Sequence, residues 1–256
     1  VKNFLATITN RIDISDELVI LNLTLPHFDG KAEPGQFVMI KVSEMYDPFL
    51  RRPYSILECG KEKMSVLVKN RGKGSSLLTH KKRNDVVEIF GPLGNGFPLK
   101  DSDYPLLVAG GIGIAPLWFL GRKLTVKGRE FSFIFGEMTS STLGEMVDRG
   151  FGGNAFLVTD DGSKGLTSNA SDAVPLCIEK LPQKNISIYA CGPVEMLKKI
   201  IAYGIKESYD VFVSLEEKMA CGIGVCLGCS IKKKNSNEFF TVCKDGPVFK
   251  GDEVEI

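Results

Sequence analysis

Along the first hundred residues, apolar and polar positions alternate in short β-rich runs. FLATIT (4–9), LVILNLTL (18–25), QFVMIKV (36–42), PYSILEC (53–59), MSVLVKN (64–70) and DVVEIFG (85–91) each read as a strand with at least one buried face. Turn formers separate several of them, at Asp29-Gly30, Pro34-Gly35 and Gly60. Six short strands at this spacing predict a small antiparallel β-barrel over residues 1–99, interrupted by one helical turn at SSLLTH (75–80).

From Asp101 the rhythm changes to strand–helix alternation. YPLLVAG (104–110) is continuously apolar, as a parallel strand covered on both faces must be, and IAPLWFLGRKLTVKG (114–128) follows as a helix. EFSFIFG (130–136), AFLVTDD (155–161), NISIYACG (185–192) and DVFVSLE (210–216) continue the strands. TLGEMVDRG (142–150) is a short helix, and SDAVPLCIEKLP (171–182) another, with Pro175 expected near its start or at a kink. Before the last strand, Leu197, Ile200, Ile201, Gly204 and Ile205 recur at helical spacing and are expected on one buried face. This order predicts a doubly wound parallel sheet, an α/β nucleotide-binding domain over residues 100–213. A third region, 214–256, holds clustered cysteines and then EFFTVCKDGPVFKGDEVEI (238–256), expected to form a short hairpin.

Composition narrows the function classes. At 256 residues, 43% hydrophobic and 25% charged, the chain can build two sizeable cores. Its 32 basic residues are nearly cancelled by 31 acidic ones, which argues against nucleic-acid or anionic-membrane binding driven by bulk charge. No apolar run reaches the length of a membrane span, and VKNFLATITNRIDIS lacks a signal-peptide pattern, so a cytoplasmic location is expected.

Four of the seven cysteines carry the strongest chemical signal. They follow the spacing Cys221-x4-Cys226-x2-Cys229-x13-Cys243, the arrangement that holds a plant-type [2Fe–2S] cluster with two thiolates on each iron. Gly222, Gly224 and Gly228 let the loop wrap tightly and aim backbone N–H groups at sulfur. A zinc site in a non-redox binding module is the alternative, although zinc favours paired Cys-x2-Cys knuckles and only one pair here has that spacing. Ile223, Val225 and Leu227 between the cysteines either form a docking surface or pack inward around the cluster. Cys59 and Cys177 lie on apolar segments and read as core residues. Cys191, in YACGP, falls at the C-terminal end of a parallel strand, the edge where ligand crevices open.

Two glycine-bearing turns suggest anion sites. LLVAGGIGIAPL places Gly110, Gly111 and Gly113 where a strand meets a helix, with Pro116 suited to the first turn; the other reading is simple strand–helix packing. In the barrel, RRPYSI offers an arginine for phosphate and an aromatic face and hydroxyl for a ring system, and NRGKGSSLLT opens a short helix with glycine and serine. The arginines could equally be solvated surface charges. Nicotinamide gives up two electrons as hydride while an iron–sulfur cluster takes one at a time, so a chain with both needs a flavin between them.

RPYS in a barrel, GGIGIAP and CGP in a nucleotide domain, and a C-terminal cysteine loop, in this order, resemble the ferredoxin reductase superfamily. Within it, SLEEKMACGIGVCLGC followed by TVCKDGPVF resembles the electron-transfer subunits of NAD-dependent dihydroorotate dehydrogenases, over essentially the whole chain. The resemblance implies FAD held by Arg52, Pro53, Tyr54 and Ser55, with Arg52 on the pyrophosphate. It implies Leu67, Val68 and Lys69 along the cofactor, and Gly74 and Ser75 at its phosphates. NADH would be received by Gly111, Gly113 and the turn Cys191-Gly192-Pro193, with Cys191 at the reacting end, and the cluster by Cys221, Cys226, Cys229 and Cys243. Tyr54 stands where many relatives have an aliphatic residue, and Ser75 where threonine is common. The implied partner is an FMN-containing dihydroorotate dehydrogenase catalytic subunit, in a heterotetramer with two copies of each. A paralogous ferredoxin:NADP or sulfide-type reductase subunit is the alternative, but these often replace one cluster thiolate. FGEMTSS (135–141) lacks an arginine cluster for a 2′-phosphate, which leans toward NADH.

Overall fold

The computed structural model describes residues 1–101, 103–181 and 185–256, and the chain falls into two compact units. The first comprises Val1–Gly96, Glu216–Ser230 and Phe240–Pro247. Its strands β1 (Lys2–Ser15), β2 (Leu18–Thr24), β3 (Phe37–Lys41), β4 (Arg52–Gly60), β5 (Lys63–Lys69) and β6 (Val86–Leu93) close a barrel in the order β1-β2-β5-β4-β3-β6. The six expected strands are all present. β1 runs well past FLATIT because it serves two neighbours: Lys2–Thr7 pairs with β6 and Thr7–Ser15 with β2, with register shifts at Ile8/Asn10 and Asp13/Ser15 that let it bend from one to the other. Ala6, Ile8, Leu21, Val38, Ile56 and Val68 fill the interior with no exposed surface. Helix α1 (Lys73–Thr79) connects β5 to β6 and buries Leu78 and Thr79.

The second unit comprises Phe97–Leu215, Ile231–Phe239 and Val248–Ile256. Here β7 (Tyr104–Gly110), α2 (Ile114–Val126), β8 (Ser132–Glu137), α3 (Thr142–Phe151), β9 (Ala155–Thr159), β10 (Leu166–Thr167), α4 (Ala170–Ile178), β11 (Ile186–Cys191), α5 (Val194–Glu207) and β12 (Asp210–Ser214) follow in order, alternating as expected apart from β10, an additional strand that comes directly after β9. The sheet runs β10-β9-β8-β7-β11-β12, all parallel. The chain moves outward from β7 to β10 and then returns to the other side of β7 to begin β11. That reversal puts a topological switch point between β7 and β11, so the crevice at their C-terminal ends is where a doubly wound sheet takes a ligand.

Several local expectations are corrected. Ile205 is 52% exposed, whereas Leu197, Ile200 and Ile201 are buried. At 3.6 residues per turn it lies about a quarter turn from the centre of their stripe. Pro175 sits in the second turn of α4, which starts at an Asn169 cap whose side chain accepts from the Asp172 N–H. The helix stops at Ile178, where the Glu179 N–H donates to Pro175 O at 3.0 Å, short of the expected end at Pro182, a residue that itself lies outside the described residues. Cys177 is buried, its thiol pushed up to about 11 by burial, but Cys59 is only half-buried, with Sγ 3.5 Å from the Gly30 carbonyl.

The C-terminal segment forms no simple hairpin. β13 (Ser230–Lys233), β14 (Phe239–Thr241), β15 (Val248–Lys250) and β16 (Val254–Glu255) are each too short to stand alone. β15 instead joins the parallel sheet as an antiparallel edge on β12, pairing Phe212 with Lys250 and Ser214 with Val248. β16 pairs with β13 through Lys232–Glu255 and Lys233–Val254.

Candidate redox site

The cysteine loop belongs to the barrel unit. Gly222, at φ +73°, is buried against β3 and the end of β6: a Cβ there would lie 2.8 Å from Met39 Cγ and 3.3 Å from Leu93 Cδ1. On the second cysteine-bearing segment, the Asn95 side chain donates to the carbonyls of Lys244 (3.2 Å) and Asp245 (2.8 Å), and its N–H donates to Gly246 O at 2.6 Å. Asp245 in turn accepts from the Thr241 N–H and hydroxyl at 2.6 and 2.8 Å. The barrel thus fixes both stretches that carry the cysteines.

Within this frame the thiols come in pairs. The Cys221 thiol interacts with the Cys226 side chain, and that of Cys243 with Cys229. Main-chain N–H groups converge on the sulfurs: Cys226 and Ile223 donate to Cys221 Sγ at 3.4 and 3.5 Å, Gly224 to Cys243 Sγ at 3.0 Å, and Cys243 to Cys229 Sγ at 3.4 Å. Such donors stabilise thiolate. At Cys221, burial opposes ionisation, but the N–H groups of Ile223 and Cys226, the Cys226 side chain and the Val225 N–H together outweigh it and bring the thiol down to about 6. Cys243, buried and facing Cys229 and Cys221, is pushed up to about 12, so a cation is needed to keep it ionised. Among the described residues, no three His, Cys, Asp or Glu side chains converge as a single metal ion requires. Two thiol pairs with N–H donors fit a two-iron cluster better than one tetrahedral zinc. Cys229 and Cys243 are buried and Cys226 is exposed. Ile223, Val225 and Leu227 are 44%, 75% and 62% exposed, which decides between the two expectations: they point outward.

At the barrel's other candidate site the two adjacent arginines separate. Arg51 pairs with Glu88 and lies over the Phe90 ring at 5.4 Å, which makes it part of the wall. Arg52 bonds the carbonyls of Leu50 and Arg51, and its guanidinium lies against α1, so close that a Cβ on Gly74 would be 3.0 Å from Nε. The first-turn N–H groups of Lys73 and Gly74 have no intrahelical acceptor. The Ser75 hydroxyl itself is engaged, accepting from the N–H groups of Arg71 and Gly72 and donating to Gly72 O. Pro53, Tyr54 and Ser55 follow on β4, half-buried, and burial raises the Tyr54 phenol to about 12 despite the nearby Arg52 charge. On β5, Leu67 and Val68 are buried and Lys69 is exposed. What Val68 can offer a ligand is therefore main chain.

In the second unit the glycines permit a close approach of two turns. A Cβ on Gly113 would sit 2.3 Å from the Cys191 carbonyl oxygen, and one on Gly110 2.8 Å from Pro193 Cδ. A side chain on Gly192 would strike Met196 Cε at 2.6 Å. Gly111-Ile112-Gly113 is a 3₁₀ turn leading into α2, with Gly111 at φ +52°. The strand register pairs Cys191 with Ala109, so both turns emerge side by side at the switch point. Cys191 itself is buried.

Comparison with known proteins agrees with this geometry. Residues 5–97 match an oxidoreductase FAD-binding domain, and residues 216–255 match the iron–sulfur cluster binding domain of dihydroorotate dehydrogenase B. The dihydroorotate dehydrogenase B (NAD(+)) electron transfer subunit of Geobacillus thermodenitrificans is 38% identical over 87% of this chain and 86% of its own. That of Caldanaerobacter subterraneus is 39% identical over 92% of each chain. The chain belongs to this family of electron-transfer subunits. Its members are NAD-linked flavin and iron–sulfur oxidoreductase subunits of pyrimidine biosynthesis, and the name implies a catalytic partner subunit. Among solved structures, that of an NADH-dependent reduced ferredoxin-NADP oxidoreductase matches with TM-score 0.84 and 27% identity, covering 98% of this chain and 90% of that one. Phthalate dioxygenase reductase matches at TM-score 0.63 and 22% identity, over 78% of this chain and 63% of the other, which shows the shared fold alone. Among the described residues no helix is long and apolar enough to cross a membrane.

Asn95 and Met39, which seat the cysteine loop, escape a reading of the sequence. GPLGNGFP shows only a turn, and Met39 is one more apolar residue on a strand.

Proposed function

We propose that this subunit exchanges electrons between NAD(H) and an FMN-containing dihydroorotate dehydrogenase catalytic subunit, in a cytoplasmic assembly of two copies of each. Residues 1–99 hold FAD, 100–213 receive the dinucleotide and 214–256 hold a [2Fe–2S] cluster. FAD held there would supply a group able to accept a hydride's two electrons and pass them on singly, and the cluster a one-electron carrier. Arg52 neutralises the FAD pyrophosphate, with the backbone of Gly74 and Ser75 beside it. Pro53, Tyr54 and Ser55 flank the ring system, and the main chain of Leu67, Val68 and Lys69 runs along it. Gly111 and Gly113 admit the dinucleotide pyrophosphate to the start of α2. Cys191, Gly192 and Pro193 position the nicotinamide, and Cys221, Cys226, Cys229 and Cys243 ligate the irons.

The observation that carries this reading is the pairing of Cys221 with Cys226 and of Cys229 with Cys243 on a loop seated on the barrel. The test mixes the purified subunit with an FMN-containing catalytic subunit. Together they should couple dihydroorotate oxidation to NAD⁺ reduction, whereas this subunit alone should only oxidise NADH with ferricyanide. Cys226→Ala should abolish the cluster's visible absorbance and the coupled reaction while sparing ferricyanide reduction. Dihydroorotate-dependent NAD⁺ reduction by this chain alone would refute the division of labour. Failure to associate with such a subunit would favour a paralogous reductase, the reading to which the 27% identical ferredoxin-NADP oxidoreductase structure lends support.

A further inference from the structure

β8 ends at Glu137, and the β7–β8 register pairs Gly110 with Gly136. Glu137 therefore stands beside Gly111, level with the glycine turn and one strand away. A dinucleotide whose pyrophosphate lies on that turn can extend along the sheet edge in two directions. The side toward β11 carries the Cys191-Gly192-Pro193 turn, assigned above to nicotinamide. The adenosine half must then run toward β8 and β9.

The Glu137 carboxylate is held at this edge. It accepts from the Ser141 N–H at 2.9 Å through Oε1 and from the Ser141 hydroxyl through Oε2. Gly144 makes room for it, since a Cβ there would lie 2.7 Å from Oε1. Two of its roughly four lone-pair sites are thus used, leaving two. A vicinal ribose diol presents two O–H donors to such an acceptor. A 2′-phosphate would bring up to about two negative charges against a fixed carboxylate. Asp160 and Asp161 at the end of β9 add to the repulsion; their N–H groups bond Glu137 O and Met138 O at 3.1 and 3.2 Å, which keeps that loop beside Glu137. Lys164, the basic residue in the same loop, is paired with Asp148 at 3.7 Å. Met138, 77% exposed, offers the purine a polarisable apolar side chain.

We propose that Glu137 receives the adenosine ribose hydroxyls and is the residue that selects NADH over NADPH. The inference rests on the nucleotide site assigned above. It is tested on the FAD-loaded full chain by measuring kcat/KM for NADH and NADPH with ferricyanide as acceptor. Inhibition by ADP-ribose and by 2′-phospho-ADP-ribose is measured alongside. Glu137→Gln keeps an oxygen for the Ser141 N–H but loses the charge, so it should lower the NADH/NADPH ratio at least tenfold, chiefly through KM. It should tighten 2′-phospho-ADP-ribose relative to ADP-ribose. Glu137→Ser, too short to reach the ribose, serves if the glutamine variant folds poorly and should shift the ratio the same way. A ratio within twofold of the parent in whichever variant folds would overturn the proposal, because loss of a merely structural cap lowers both rates together. Gly113→Ala separates the two levels of inference. If it abolishes NADH oxidation while Glu137→Gln leaves the ratio unchanged, only the role of Glu137 falls. If it leaves NADH oxidation intact, the nucleotide site falls, and this inference with it.

Discussion

Replacing Gly222 by alanine tests whether the barrel sets the shape of the cysteine loop. Gly222 lies at φ +73°, where a residue with a Cβ is strained by about 1 kcal/mol or more. The new Cβ would also stand 2.8 Å from Met39 Cγ and 3.3 Å from Leu93 Cδ1, inside ordinary contact. Overpacking costs about 1–3 kcal/mol, and the flexible methionine holds this case near the lower end. The sum is about 2–3 kcal/mol against the seated loop, about a thirtyfold to hundredfold shift toward its unseated form. Gly228→Ala supplies the control. Gly228 is not among the left-handed glycines, and the nearest atom to an added Cβ is Cys226 Sγ at 3.6 Å, an ordinary contact. The assay follows bleaching of the cluster's visible absorbance by an iron chelator, with FAD content measured on the same samples. Gly222→Ala should lose its cluster at least tenfold faster than the parent, Gly228→Ala within twofold of it, and FAD should be retained in both. Equal rates for the two variants would refute the idea that the loop is seated through Gly222.

The adjacent arginines should separate experimentally. Arg52→Ala should weaken FAD binding about tenfold to a hundredfold, the value of a charge-assisted contact, while Arg51→Ala should cost about 1 kcal/mol of stability and keep its flavin; equal flavin loss after dialysis would contradict this. Asp210 joins Lys100 and Lys250 at the start of β12, and the Lys100 hydrogen bond, opposed by burial and helped by Lys250, holds its carboxyl below the usual range. A depressed carboxyl contributes stability above its unfolded pKa, near 3.9, and loses it as pH falls through the folded value. Asp210→Asn should therefore cost up to about 1 kcal/mol in urea unfolding at pH 7, and the gap should narrow below pH ~4; an undiminished gap at pH ~2.5 would refute the linkage.

Elements with a long, repeated pattern were legible in the sequence. The six barrel strands alternate over several residues each, and the helices of the α/β unit carry stripes such as Leu197, Ile200 and Ile201 that only one face can bury. The cysteine spacing was informative for a different reason, since ligand geometry constrains it independently of the fold. β10 and β16 have two residues apiece and β15 three, too few for any period to register. β15 gains its ladder partner from β12, more than thirty residues earlier, a contact with no local trace in GPVFKGD. Ile205 shows the limit of spacing alone: an apolar residue at the edge of a stripe reads as buried until the neighbouring element is known to stop short of it. RRPYSI does not show which arginine is drawn into the barrel wall, because Glu88 and Phe90, which occupy Arg51, come from a strand over thirty residues away.

The candidate ligands come from two segments, residues 216–230 and 240–247, with the intervening 231–239 belonging to the other unit. Bringing separated thiols together costs chain entropy, and if the metal alone supplied that free energy, cluster affinity would fall by the same amount. Here much of the ordering is achieved without the sulfurs. Asn95 holds Lys244, Asp245 and Gly246 by three hydrogen bonds, Asp245 clamps Thr241, and Gly222 seats the first segment on Met39. The N–H groups of Gly224, Cys226 and Cys243 are then already aimed at sulfur. The exposed rim, with Ile223, Val225, Cys226 and Leu227, is left facing outward, so the same contacts that assemble the ligand set also determine which of its edges a partner can approach.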